Sequence, residues 1–344
     1  MKDLSNFANI GVNSIITDKE RLTESMRKFL YDRVWCDDDL LEGFTQGEID
    51  EIISRTLDRD FSTISQLLAV LLEDEANEYM KEQYKYFPQT KDELRSLIKQ
   101  RIEDEGNNVN LNDIDVSAIT DMSRLFQDIS FDSSNFNGNI SAWDVSNVTN
   151  MNSMFYMCKC FNGDISKWNV SKVTDMTLMF DSCESFNQDI SGWDVSNVTN
   201  MNGMFFDCYV FNQDLSKWDV SNVTNMRYMF FNCHFFNQDI SKWDVSKVTD
   251  MECMFAYCKY FNQNISSWDV SNVIDMDSMF DWCEYFNQDL SKWNVSNVTS
   301  MAFMFSNCNS FNQDISKWNV SKVEYNTLMF YNCPIKDEYK PKFK

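Results

Sequence analysis

Two spacings of apolar residues divide this chain. Up to about residue 103 the apolar positions fall in four runs at helical intervals. Thr17-Asp18-Lys19-Glu20 has the form of a capping box, and Leu22, Met26, Phe29, Leu30 and Val34 follow it along one helical face. Thr45-Gln46-Gly47-Glu48 opens a second run with Ile49, Ile52, Ile53 and Leu57. A third helix is predicted from Ser62 to Tyr84 on the stripe Ile64, Leu67, Leu68, Leu71 and Leu72. Pro88 stops the chain there, and Thr90-Lys91-Asp92-Glu93 caps a fourth helix through about Glu103. Short helices with short connections predict a small all-α bundle, residues 1–105, behind a loosely patterned arm at 1–16. The polar run Gly106-Asn107-Asn108-Val109-Asn110 places a linker at 106–112.

Beyond it the apolar positions repeat every 25 residues, with Trp143, Trp168, Trp193, Trp218, Trp243, Trp268, Trp293 and Trp318 keeping the beat. A period in this range means a stacked repeat architecture. Within one repeat, Ile140-x-x-Trp143-x-Val145-x-x-Val148 has the L-x-x-L-x-L spacing of leucine-rich repeats. Alternation at Trp143, Asp144 and Val145 predicts a short strand with Trp and Val inward. Met151, Met154, Phe155 and Cys158, at i, i+3, i+4 and i+7, predict a two-turn helix with Thr149 and Asn150 at its N-cap. Phe161 adds a further core anchor. The recurring Asn137, Asn162, Asn187, Asn212, Asn237, Asn262, Asn287 and Asn312 are expected to satisfy loop amides.

The resulting expectation is an α/β solenoid over residues 113–333, with one strand and one helix per coil and neighbours burying each coil's faces. Eight coils at strand spacing would be roughly 40 Å long. The end repeats depart from the pattern. Ile114 stands for Trp, Ile129 for Cys, and four extra residues precede Phe136. At the other end Glu324 and Asn326 replace Thr and Met, and Pro334 ends the pattern. The basic tail, 334–344, is expected to fray.

Charge narrows the partner. A net charge of −23 over 344 residues leaves no basic surface for nucleic acid or anionic lipid, and the balance is acidic on both sides of residue 110. No apolar run reaches transmembrane length, and no signal peptide or lipidation motif is written near Met1. Of the 11 cysteines, eight share one repeat position, from Cys158 and Cys183 to Cys333. They are expected to be a column of buried, reduced thiols, which suits the cytoplasm.

With this grammar assembled, Phe-Asn-Gln-Asp-Ile-Ser-x-Trp-Asp-Val-Ser-Asn-Val-Thr-Asn-Met-x-x-Met-Phe resembles the 25-residue repeat of mycoplasma-type lipoproteins, related to BspA-like leucine-rich-repeat surface proteins. The likeness covers about Asp113 to Cys333. It implies a leucine-rich-repeat-like solenoid, no catalysis, and a role in protein binding or adhesion. The missing lipobox cysteine and the helical run from Thr17 to Glu103 lie outside the resemblance. They favour an intracellular relative over a surface-displayed or virion-associated adhesin.

Histidine, which catalysis and metal binding most often use, is scarce along the chain. The sole histidine, His234, follows a core cysteine, which removes Ser-His-Asp and Cys-His catalysis and the common zinc sets. Neither phosphate-binding glycine motif occurs, so no cofactor is expected. Cys158 and Cys160 make one C-x-C without a second pair, and Asp37-Asp38-Asp39 lacks calcium-loop spacing. The Asn-Val-Thr triplets, as at Asn197 and Asn222, are by-products of the repeat. Residues 1–105 hold no histidine and one thiol, Cys36. Enzyme activity is therefore not expected anywhere.

Two surface columns remain as partner-binding candidates. The first is Asp194, Asp219, Asp244 and Asp269, bounded by Asn169 and Asn294. Lys217, Lys242, Lys292 and Lys317 run beside it, so mutual neutralisation along the ladder is the favoured duty. The second lies two residues after the core Cys at Phe235, Tyr260 and Tyr285, with Tyr257 and Trp282 close by. Elsewhere this position holds Ser185 and Ser310. Those rings either face outward as a binding stripe or staple one coil to the next.

Overall fold

The computed structural model describes residues 84–127 and 135–343. The chain divides into two compact units, 1–85 and 86–344, and the fold below is that of the second. The arm, the three earlier helices and Ile129 lie outside the described residues.

The fourth helix forms as α1, Lys91–Glu105. Thr90 Oγ1 accepts the Glu93 N–H at 3.2 Å, while Glu93 accepts from Gln89 at 2.8 Å. Gly106 ends the helix at φ 87°, where a side chain would be strained. Its buried residues, Leu94, Ile98 and Ile102, share one apolar core with the repeats. The division between units therefore falls at 85/86, and residues 106–112 are no linker. Val109 and Leu111 are buried, and Asn110 pairs in parallel with Asn139. An asparagine-rich stretch reads as a hinge, yet here its two apolar residues begin the core.

From Asp121 to Tyr325 the coils lie in register, joined by parallel bridges such as Asn150 to Asp175 and Asp175 to Asn200. The interior is a set of columns. The ring pairs Trp143 with Trp168, Trp168 with Trp193, Trp243 with Trp268 and Trp293 with Trp318 stack at 6.4–6.5 Å, and each Phe of the Met-Phe pair lies on the Phe that opens the next repeat, as Phe155 on Phe161 at 4.1 Å. Buried aromatic pairs of this kind add to the area they bury.

Polar side chains tie the columns together. Each Trp Nε1 donates to a carbonyl of the preceding coil, as Trp218 to Ile190 at 3.1 Å. Each core Cys thiol from Cys183 to Cys308 does likewise, as Cys233 to Phe205 at 3.0 Å. The repeated Asn accepts the N–H of the next coil's Asn, as Asn212 from Asn237 at 3.0 Å, and Gln238 Nε2 adds a second donor to it at 3.0 Å. The Asn duty is the expected one, although these residues are exposed or half-buried.

The expected strand and helix of each coil take another form. Trp143 and Val145 point inward and Asp144 outward, yet the stretch is closed by i−3 turns, Trp143 to Ile140 and Val148 to Val145, with no strand. The Met-to-Cys stretch is a run of turns too. Met154, Tyr156 and Cys158 donate to the carbonyl three residues back, while Met151, Ser153, Phe155 and Met157 donate to the next coil at 2.8–3.0 Å. An α-helix would spend all these N–H groups on its own carbonyls. Turns advancing four residues at a time still place i, i+3, i+4 and i+7 inward, so the apolar pattern alone suits either structure.

The turns need a left-handed residue at two places per coil, as Ser153 and Met157 or Tyr228 and Asn232, with φ of 54–63°. A side chain there costs roughly 1–2 kcal/mol, offset by the hydrogen bond its N–H sends across. Asn150 supplies no helix N-cap. It accepts the Asn152 N–H at 3.0 Å and so starts the first turn.

The ends differ from the middle. Ile335, Tyr339 and Phe343 pack on the core, and Lys336 N–H takes the Asn312 carbonyl oxygen of the side chain at 3.0 Å. The tail is thus docked, not frayed, standing where the first half of another coil would lie.

The Asn column gives a test of what holds adjacent coils. Asn212→Leu leaves the Asn237 N–H without its acceptor and Gln238 Nε2 with the Asn212 backbone carbonyl alone, and lowers unfolding free energy by about 1–3 kcal/mol. Asn212→Asp keeps the oxygen and most of the stability. Urea melts of the two variants check this, and equal losses would remove the acceptor role.

Candidate binding surface

The aromatic residues singled out from the sequence form two short exposed columns flanking the Cys258 and Cys283 turns. Phe235, Tyr260 and Tyr285 are 52%, 41% and 51% exposed. They stack in sequence at 5.7 and 5.4 Å between ring centroids, each tilted by 15°. Tyr257 and Trp282, also exposed, stack at 6.2 Å. The two alternatives of outward stripe and inter-coil staple therefore coincide. Each ring braces its neighbour across the coil spacing and keeps an edge and part of a face in water.

Their positions follow from the turns. Tyr257 and Trp282 are left-handed residues at φ 62° and 59°, which aims their side chains away from the core. Lys259 Nζ sits 5.8 Å from the Tyr260 centroid and pairs with Glu284 at 3.3 Å, so the cation in the stripe is already neutralised. The sequence reading missed Phe206 and Phe231, which stack at 4.5 Å one residue before the left-handed site, with Tyr257 edge-on to Phe231 at 5.4 Å. Their separation of one period was the available signal. His234 lies beside Tyr209 at 6.0 Å between rings, and its carbonyl accepts the Tyr260 N–H.

The aspartate column has a structural duty. Asp194, Asp219, Asp244 and Asp269 each accept the N–H of the serine two residues on, at 3.0–3.1 Å. The serine hydroxyl and N–H hold the Asp219 and Asp244 carboxyls below their ordinary range. Among the described residues no ion pair joins these aspartates to Lys217, Lys242, Lys292 or Lys317. The lysines of a different position, Lys172, Lys247 and Lys322, reach Asn147, Asn222 and Asn297 instead. The column shapes turns, and its remaining oxygens face solvent.

Thiol chemistry is muted. Burial pushes the Cys158 thiol up to about 12 and the other core thiols upward as well. Among the described cysteines Cys160 alone is exposed.

A family model described as Mycoplasma protein of unknown function, DUF285, matches residues 93–208, 163–263, 188–285 and 231–340. Together these overlapping matches span well over half of the chain. It belongs to this family. The match starts inside α1, so the family takes in the capping helix as well as the coils, and the shifted overlaps are what a repeat produces. No curated protein and no solved structure matches the chain. Among the described residues, no helix is long and apolar enough to cross a membrane.

Burial raises the carboxyls of Asp181, Asp275 and Asp281, and Asp181 carries the clearest cost. Asp181 occupies the position of Phe206 and Phe231, and burial lifts its pKa to about 6 despite the Ser182 hydroxyl at 2.7 Å. A carboxyl with a raised folded pKa destabilises the fold increasingly as pH rises from the unfolded value towards the folded one. The Asp181 contribution therefore improves as pH falls from 6 towards 4. Asp181→Asn raises the melting temperature at pH 7 and flattens its pH dependence in that window, and an unchanged profile by thermal melts would contradict the assignment.

Proposed function

We propose that this family member is a repeat solenoid of the leucine-rich-repeat-like kind acting as a non-enzymatic scaffold, and that it holds a protein partner on the stripe Phe235, Tyr260 and Tyr285 with Tyr257 and Trp282. The observation that carries this reading is the pairing of exposure with order. Half-exposed rings occupy three consecutive coils at a position that holds Cys160, Ser185, Val210 and Ser310 in other coils, and each is held by its neighbour. Pre-ordered aromatic surface costs little side-chain entropy on binding and supplies large contact area, which is what interface hot spots use. Patches of this kind on a monomer mark interaction sites more often than chance exposure.

Catalysis has no part in this reading, because the invariant residues are occupied with packing and turns. Thiols kept in the core suit a cytoplasmic setting. The aspartate column, Asp194 to Asp269, offers a secondary rim of acceptors beside the rings' own coils.

Affinity capture on the full chain, compared with Phe235→Ala, Tyr260→Ala and Tyr285→Ala combined, tests the proposal. These rings lie outside the core, so the triple variant keeps its tryptophan emission, and partner recovery falls by about tenfold or more. Full recovery by a folded triple variant would remove the stripe from the reading.

A further inference from the structure

The Met-to-Cys half of each coil is directional. Met226, Tyr228, Phe230 and Asn232 send their N–H groups forward to Asp250, Glu252, Met254 and Ala256, and every complete coil repeats this at 2.7–3.1 Å. A half-coil stack built this way ends in bare carbonyls at its N-terminal side and bare N–H groups at its C-terminal side.

The carbonyl end is covered by α1, which takes the Leu125 and Gln127 carbonyls of the row and the side chains of Asp121 and Ser123. Arg95 of α1 donates to the carbonyls of Leu125, at 3.1 Å, and of Arg124 and Gln127. Lys91 Nζ reaches Asp121 at 2.7 Å and Ser123 at 2.9 Å. Leu94, Ile98 and Ile102 cover the core beneath them.

Among the described residues the donor end is open. Met301, Phe303, Phe305 and Asn307 donate to Tyr325, Thr327, Met329 and Tyr331, so the corresponding groups in the last coil are the N–H of Asn326, Leu328, Phe330 and Asn332. Among the described residues nothing accepts from those four. Leu328 and Asn332 keep the left-handed turn shape, at φ 52° and 53°. Tyr325, Leu328 and Tyr331 beside them are 62%, 51% and 58% exposed. The docked tail covers the other half of the coil, through Ile315 N–H to Tyr339 and Lys336 N–H to Asn312, and leaves this half bare.

A donor-only row selects its occupant. A β-strand edge offers N–H and C=O together, so half its groups would set donor against donor. Two of these ends related by a two-fold axis would oppose N–H with N–H throughout. The complement is a carbonyl-only row of the same turn geometry, which this chain carries from Asp121 to Gln127 beneath Arg95. We propose that the chain is built for head-to-tail assembly, the donor row of one copy continuing into the carbonyl row of a second, and that α1 is the stop that holds the unmodified chain as a single copy until it leaves. Such a contact is heterologous, so copies add one after another into a filament, or into a ring where the rotation between copies closes.

The test uses the full chain and light-scattering mass over a range of concentrations, together with amide hydrogen exchange. The unmodified chain stays a single copy, and its Leu328, Phe330 and Asn332 amides exchange at least about tenfold faster than those of Phe303, Phe305 and Asn307. Arg95→Ala with Ile98→Asp raises the mass with concentration and slows those three amides. Arg95→Ala alone, which keeps the apolar seat, moves both readouts the same way to a smaller extent. Adding Leu328→Pro, which removes one donor and cannot hold φ 52°, returns the mass to one copy. Three results would each overturn the proposal: folded variants that stay single at every concentration, assembly indifferent to Leu328→Pro, or slow exchange at all three amides in the single-copy chain.

Discussion

Everything in this fold rests on one exchange between neighbouring coils: four backbone N–H groups sent forward from a run of left- and right-handed turns. Without them the backbone would join one coil to the next mainly through the single bond of the threonine ladder, as Thr174 N–H to the Thr149 carbonyl at 2.9 Å, with side chains for the rest. The turns leave alternate N–H groups free to cross, and the left-handed residues aim them. Because each coil repeats the geometry of the last, a cost of roughly 1–2 kcal/mol at each left-handed side chain is met coil by coil. The in-register Trp, Phe, Met and Cys columns follow from that spacing and fill the space it encloses.

Much of this was legible in the sequence. Trp143 to Trp318 fixed the period, the Asn column announced its acceptor duty, and the capping box at Thr90 located a helix that is there. The secondary structure was less legible, for a physical reason. Spacing at i, i+3, i+4 and i+7 records which side chains point inward, and both an α-helix and four-residue turns satisfy it. The distinguishing signal, a left-handed backbone at Ser153 or Tyr228, leaves little trace in residue identity. Glycine marks one such coil turn, at Gly203, where an added Cβ would also meet Leu178 at 2.5 Å. The domain edge misled because Val109 and Leu111 are isolated among asparagines, although they begin the core.

The candidate surface was legible in a different sense. Phe235, Tyr260 and Tyr285 stood out because three consecutive rings fill a position that holds serine at Ser185 and Ser310. Sequence could place them on one line but could not decide between exposure and bracing, since both follow from the coil spacing. The aspartates were legible as a column and not as turn formers, because an Asx turn needs only the serine two residues on. Residues that vary at a fixed position are the ones free to carry recognition, and those that do not vary are committed to the stack.

The most direct measurement is of scalar couplings across hydrogen bonds, by NMR on the labelled full chain, at the amides of Met226, Tyr228, Phe230 and Asn232. Couplings to the carbonyls of Asp250, Glu252, Met254 and Ala256 are predicted, one coil ahead. Couplings to carbonyls four residues back within the same coil would mean an α-helix there, and the directional stack would fall.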